Sequence, residues 1–253
     1  MAIGVEQKLA GEESVAGIER FAPLALPLLV AFGFLLYLPA LGSYGPLDPT
    51  DSFFIEGARE LVETNQYLLP MFNYQVWLDK PILYFWLVAG CYKILGVSAF
   101  AGRLVSALSA ILTGLVIYQG SKATLGVKQA FVAACIFLTF PLVSVIGHES
   151  LTDMTLCLLI SAALMGFYNY QARPGKTSLS IGYVALALAF LCKGPVALVI
   201  VAAIVFLHLC ATCQFEGFQS FCRQLWGKII SFHPFWGTVI LLAINLPWYG
   251  AAA

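Results

Sequence analysis

The chain has 253 residues, 60% of them hydrophobic and 10% charged, with a formal net charge of zero at pH 7 and a mean hydropathy of +0.88. Soluble domains carry roughly 25% charged residues, so this chain lacks the polar surface to cover itself and its main solvent must be lipid. Strand-like alternation is absent, which excludes a β-barrel, and no basic patch marks a nucleic-acid partner. The expected fold class is therefore all-α, a polytopic membrane helical bundle.

Residues 1–20 hold Glu6, Glu12, Glu13 and Glu19 beside Lys8 and Arg20. That is too long and too acidic for the start of a signal peptide, and no small-residue cleavage site closes the apolar run that follows. Residues 22–41 therefore read as a retained first span. The stretch 42–99 is expected to be the long first outer loop, with interfacial helices. Within YGPLDPTDSFFIEGARE (44–60), Asp48 and Pro49 read as the N-cap and first residue of a helix. Glu56, Arg59, Glu60 and Glu63 follow three or four apart, as on a wet face, with Phe53, Phe54 and Leu61 as the apolar side. This predicts an amphipathic helix along the membrane surface. In WLDKP (77–81), Asp79 and Lys80 can form an adjacent ion pair before a proline, or Lys80 can offer a point charge to a phosphate.

Further apolar runs lie at 82–97, 100–120, 128–147, 152–170, 178–193, 195–212 and 234–251. If all cross with the N-terminus inside, Lys122, Lys128, Arg173, Lys176, Arg223 and Lys228 fall outside, against the positive-inside bias. If 82–97 stays at the interface, those six join Lys8 and Arg20 inside, eight of the thirteen basic residues. That run is short, carries Lys93, and is rich in interface-seeking aromatics (Tyr84, Trp86, Tyr92). Seven spans are therefore predicted. With this topology Asp48, Asp51, Asp79, Lys80, His148, Glu149, Asp153 and Lys193 all reach the outer face. Ionisable groups at the membrane are costly and tend to mark function.

Each group also has a plain structural role open to it. Asp48 and Asp51 can cap a helix. In GHESLTD (147–153), Ser150 or Thr152 can cap the next helix, and His148 is a lone histidine at a turn. In FLCKGP (190–195), Lys193 can snorkel, or meet a lipid phosphate from a tight Gly194-Pro195 turn. NLPWYG (245–250) is an interface signal. The seven cysteines read as packing residues, since the single Cys210–Cys213 pair lacks partners for a zinc site. No nucleotide-binding glycine pattern occurs.

The order of these motifs (LDPTD with FxxEGARE, WLDKP, an aromatic helix, LTDMTL, LCKGP, LPWY) resembles the family 39-type glycosyltransferases of the GT-C superfamily. Aminoarabinose lipid A transferases and protein O-mannosyltransferases are among its relatives. The resemblance spans roughly residues 22–250. It implies a polyprenyl-phosphate-linked sugar as donor and transfer, with inversion, to a lipid, glycan or protein acceptor on the periplasmic or luminal face. It places the catalytic carboxylate at Asp51 or Asp48, the donor-phosphate lysines at Lys80 and Lys193, and Asp79, Asp153, His148 and Glu149 in support. No organic cofactor is implied; a divalent metal shared by the aspartates is the one inorganic group to consider. Members are about twice this length, which implies an N-terminal part of a GT-C transmembrane domain. The competing reading is a non-catalytic or transport-type membrane protein for lipid-linked substrates, which would show a polar path through the bundle.

Overall fold

The computed structural model describes residues 21–45, 49–215 and 217–252. They form helices joined by short turns, with one two-stranded hairpin. Helix α1 is Phe21–Tyr37, and α2 is Pro49–Thr64. The hairpin pairs β1 (Met71–Phe72) with β2 (Gln75–Val76), Met71 opposite Val76. Next come α3 (Leu83–Leu95), α4 (Ala99–Leu125), α5 (Val127–Thr139), α6 (Pro141–Gly147) and α7 (Thr152–Ala172). The order closes with α8 (Lys176–Lys193), α9 (Val196–Ala211), α10 (Phe218–Ser231) and α11 (Pro234–Ala252). This is a multi-pass membrane helical fold, as the composition requires.

The spans are less uniform than the seven predicted. Among the described residues, α4, α8 and α11 are each long and apolar enough to cross a bilayer. The run 128–147 breaks into α5 and α6, bent by 62°, because Pro141 cannot continue a helix and instead begins a new one. Helix α1 stops at Tyr37, short of the predicted 41, and the chain turns there with Ala40 at φ 62°. Helix α7 has the length, 21 residues, but its ends are polar. Helix α9 has 16 residues, about 24 Å. Helix α3 has 13 residues, about 20 Å, too short to cross alone.

Three large apolar clusters, with a smaller one of Leu156, Ala189 and Ala197, hold the bundle among the described residues. One end packs Phe54, Leu61, Tyr84, Phe85, Val88 and Tyr92 against Cys192 and Trp248. Tyr84 and Tyr92, read from sequence as interface aromatics, are thus core residues, while Trp86 stays exposed. A second cluster joins α1, α4 and α5 through Leu29, Tyr37, Ile111 and Leu138. A third, at the opposite end, joins α7, α8 and α9 through Phe167, Ala185, Val201 and Leu209. Helices α7 and α8 touch backbone to backbone: a Cβ at Gly166 would lie 2.6 Å from the Gly182 nitrogen. All seven cysteines are free thiols.

Candidate active site at one end of the bundle

Helix α2 starts at Pro49, so Asp51 falls in its first turn. Asp48 lies outside the described residues. Asp51 is fully buried, as is Arg103 on α4. Ser98 caps α4 by accepting from the Ala101 N–H at 3.2 Å, which sets Arg103 one turn into the helix. The guanidinium faces the carboxylate as a fork, Nη2 to Oδ2 at 2.7 Å and Nε to Oδ1 at 3.4 Å. Its other hydrogens go to the carbonyls of Leu41, Tyr44 and Gly45. All five donors of the arginine are thereby used. The Tyr44 ring lies 4.2 Å below the guanidinium. Asp51 Oδ1 also accepts the Ser150 N–H at 2.7 Å. One ion pair therefore ties the chain after α1, the start of α2, α4 and the turn before α7.

A hydroxyl chain continues from this knot. Tyr84, on α3, bonds Ser106 at 2.8 Å and Ser150 at 3.2 Å, and Ser150 Oγ donates to the Gly102 carbonyl. Ser150 does not cap α7, nor does any side chain, since the N-cap is Leu151 with no such bond. Burial, opposed by Arg103 and reinforced by the Asp51 and Glu149 carboxylates, pushes the Tyr44 hydroxyl above its ordinary value. That hydroxyl donates to the His148 carbonyl at 3.1 Å. The His148 ring stacks on Tyr37 and its Nδ1 meets the Ser144 carbonyl at 2.7 Å, a packing role.

Asp153, in the first turn of α7, accepts a hydrogen bond from Lys193 Nζ at 2.7 Å. Gly194, with φ +76°, ends α8 directly after that lysine. The pair keeps access to solvent, with side-chain exposures of 26% for Lys193 and 46% for Asp153. Asp79 and Lys80 pair with each other at 2.8 Å, also partly exposed. Pro81 follows, and Tyr84 anchors the start of α3 to Ser150. Trp248 of the LPWY motif is buried rather than interfacial and donates its Nε1–H to the Leu68 carbonyl at 2.7 Å, fastening α11 to the first loop. Asp51, Ser150, Asp153 and Lys193 thus lie along one continuous set of contacts.

Two charged residues also depart from the sequence reading. Glu60 is not on the wet face with Glu56, Arg59 and Glu63; it is fully buried and accepts the Tyr74 N–H, which seats the hairpin on α2. Arg103 enters the sequence reading only as one of the thirteen basic residues. Its signal was nonetheless present, an arginine inside an apolar run, where it needs a buried partner. For a metal, the described residues offer no group of three or more His, Cys, Asp or Glu side chains, and Asp153 is engaged with Lys193.

The sequence model of the dolichyl-phosphate-mannose-protein mannosyltransferase family matches residues 79–248. The chain belongs to that family. The match begins at Asp79, so it takes in Lys80, Arg103, Asp153 and Lys193 and leaves out α2. Curated relatives of this family member include the undecaprenyl phosphate-alpha-4-amino-4-deoxy-L-arabinose arabinosyl transferase 1 of Proteus mirabilis (strain HI4320). It is 30% identical over 242 residues, covering 93% of this chain and 43% of that one. The corresponding transferase of Shewanella sediminis (strain HAW-EB3) is 29% identical, covering 86% and 38%. The fold matches ArnT from Cupriavidus metallidurans in the apo state with a TM-score of 0.79 at 22% identity, covering 88% of this chain and 41% of that one. Its form bound to undecaprenyl phosphate gives a TM-score of 0.75 at 23% identity. The chain spans between 38% and 48% of the length of the first curated relatives it matches.

Proposed function

We propose that the chain acts as a membrane glycosyltransferase that moves a sugar from a polyprenyl-phosphate donor to a lipid, glycan or protein acceptor on the outer face, with inversion. The observation that carries this is the buried Asp51–Arg103–Ser150 knot set beside the solvent-accessible Lys193–Asp153 pair. A base in contact with water and a lipid-borne phosphate must meet at the bilayer edge, and the link from Asp51 through Ser150 to the turn that opens α7 at Asp153, the partner of Lys193, supports such a site. The relatives named for undecaprenyl phosphate donors support the donor class.

In this reading a carboxylate takes the proton of the acceptor hydroxyl, and the oxygen attacks the anomeric carbon. The bond from that carbon to the phosphate oxygen breaks, and its electron pair leaves on the polyprenyl phosphate. Lys80 and Lys193 balance the charge that develops there. Attack from the face opposite the leaving group gives inversion. Asp51 has both oxygens engaged and no exposure, so we assign the base to Asp48 and the positioning of its loop to Asp51. Asp79, Glu149 and His148 shape the surrounding turns, and Asp153 orients Lys193.

The test is reconstitution of the chain in vesicles with an undecaprenyl-phosphate-linked labelled sugar, following release of undecaprenyl phosphate and direct binding of that lipid. Lys193→Ala is expected to lower turnover on the order of 100-fold, the loss seen when one donor to a developing anion is removed. Undecaprenyl phosphate binding that is unchanged in both Lys80→Ala and Lys193→Ala would refute the reading.

A further inference from the structure

Lys176 opens α8 at the end far from Lys193; the 18-residue helix separates the two by about 26 Å. Two apolar clefts meet at Lys176. One, of about 360 Å³, lies between α8 and α11, with Tyr183, Trp236 and Ile240 as apolar wall and Ser180 and His233 as the other polar lining. The second, of about 560 Å³, runs up α8 from Lys176 through Ile181 and Val184 to Leu188, about 18 Å, with Leu159 of α7 as its far wall. Lys176 and Ser180 line both. The Tyr183 hydroxyl is already used, donating to the Phe232 carbonyl at 2.8 Å, so the first cleft has a fixed wall. Lys176 joins no ion pair among the described residues.

The described loops and helix at this end are basic and hold an unusual share of exposed apolar side chains. They carry Lys122, Lys128, Arg173, Lys176, Arg223 and Lys228, with no acidic side chain among the described residues of these segments. Helix α10 buries no residue. It presents Phe218, Cys222, Trp226 and Ile230 as an exposed stripe four residues apart, with Arg223 alongside. Phe235 and Trp236, at 74% and 61% exposure, extend the apolar surface to the first cleft. Basic residues and exposed aromatics on a short helix between two apolar helices are what a helix in the headgroup region requires.

We propose that this end is a binding site for one anionic glycerophospholipid of the inner leaflet, its phosphate on Lys176 and its two acyl chains in the two clefts that flank α8. The single cation at the junction suits one negatively charged headgroup, and two separate apolar grooves leading from it suit a lipid with two chains. Helix α10 lies in the same interface and closes the headgroup side. The site is distinct from the donor end and does not rest on the transferase reading.

The test uses the full chain in detergent, with phosphatidylglycerol or phosphatidylcholine added and retention read by native mass spectrometry. One phosphatidylglycerol is expected to stay bound in preference to phosphatidylcholine. Lys176→Gln should weaken that binding about fivefold, the contribution of one lysine near an anionic surface. Lys128→Gln, which lines neither cleft, should not change it. Ile181→Trp should lower retention of both lipids while leaving the headgroup preference intact. Equal retention of the two lipids, an equal effect of the two lysine variants, or no retained lipid would each overturn the proposal; the last would leave the clefts to another polypeptide.

Discussion

Arg103 and Asp51 are 52 positions apart and meet where neither is exposed, so each depends on the other for its charge to be tolerated. Removing one partner of a buried pair strands the other, at a cost of about 3–5 kcal/mol. Asp51→Asn and Arg103→Met are each expected to lower the thermal midpoint by a corresponding amount, and the double variant to recover part of it, since no charge is then left unpaired. Asp48→Asn is expected to keep the midpoint and lose turnover; the reverse pattern would move the base to Asp51. The Lys193–Asp153 pair belongs to a different regime, because partial exposure limits such a pair to about 0.2–1 kcal/mol. A donor phosphate must compete with Asp153 for the lysine. Asp153→Asn should therefore tighten undecaprenyl phosphate binding by about twofold to fivefold while slowing turnover, and weaker binding would show that the aspartate helps hold the lipid. Residues with local signals were legible: Lys193 interrupts an apolar run, and Asp153 opens one. Their pairing was not, nor was Arg103 as the partner of Asp51, because contacts between distant positions leave no trace in spacing.

Elements follow the same division between local and distant causes. The start of α2 at Pro49 and the break at Pro141 are local consequences of proline, and the break could have been placed from sequence. Helix α10 escaped notice because it is 14 residues long and only half apolar. The hairpin escaped because its strands have two residues each and its turn is made by Asn73 and Tyr74 at positive φ, without a glycine. The wet face of α2 was legible except for Glu60, whose burial depends on the hairpin. On that face hydrogen bonding by Arg59, opposed by partial burial, holds the Glu56 carboxyl below its ordinary value, and Arg59 also reaches Glu63. A depressed carboxylate contributes stability above its unfolded pKa and loses it as pH falls through the lowered folded value. The protection of the α2 amides, exchange taken relative to the intrinsic rate at each pH, should therefore fall on acidification below the usual carboxylate range, and Glu56→Gln should flatten that dependence. The α7–α8 crossing sets a stricter condition. Alanine at Gly166 would press its methyl onto the Gly182 backbone, so Gly166→Ala should destabilise the chain by about 1–3 kcal/mol, seen as a lowered thermal midpoint. An unchanged midpoint would mean that the two helices can separate without loss.

At the scale of the whole molecule, two ends of the bundle have opposite character. One gathers Asp51, Arg103, Lys193 and Asp153 in paired, partly enclosed sites. The other carries basic residues that join no ion pair among the described residues, and the exposed aromatic stripe of α10. In the proposed topology, which rests on the positive-inside bias, the second end is cytoplasmic and the first faces outward, where a flipped lipid-linked donor would be met. This assignment follows from charge and rests on α3 staying on one side, which its 13 residues favour. It can be read directly, because α10 supplies a native reporter: Cys222 is exposed, whereas the other six thiols are buried or half-buried. In intact cells a membrane-impermeant maleimide should label an Asp79→Cys variant and leave Cys222 unlabelled until the membrane is permeabilised. Asp79 is a suitable position because its side chain is 58% exposed and its partner Lys80 is held only by that surface pair. Replacing Cys222 with serine in the same variant should remove the second signal and keep the first, which separates the two thiols without relying on reaction rates. Labelling of both positions from outside would mean that the ends do not face opposite compartments, and labelling of Cys222 alone would invert the molecule. The first result would keep the candidate site outside and overturn the cytoplasmic placing of α10; the second would take the site away from the outer face and with it the donor class on which the proposed reaction depends.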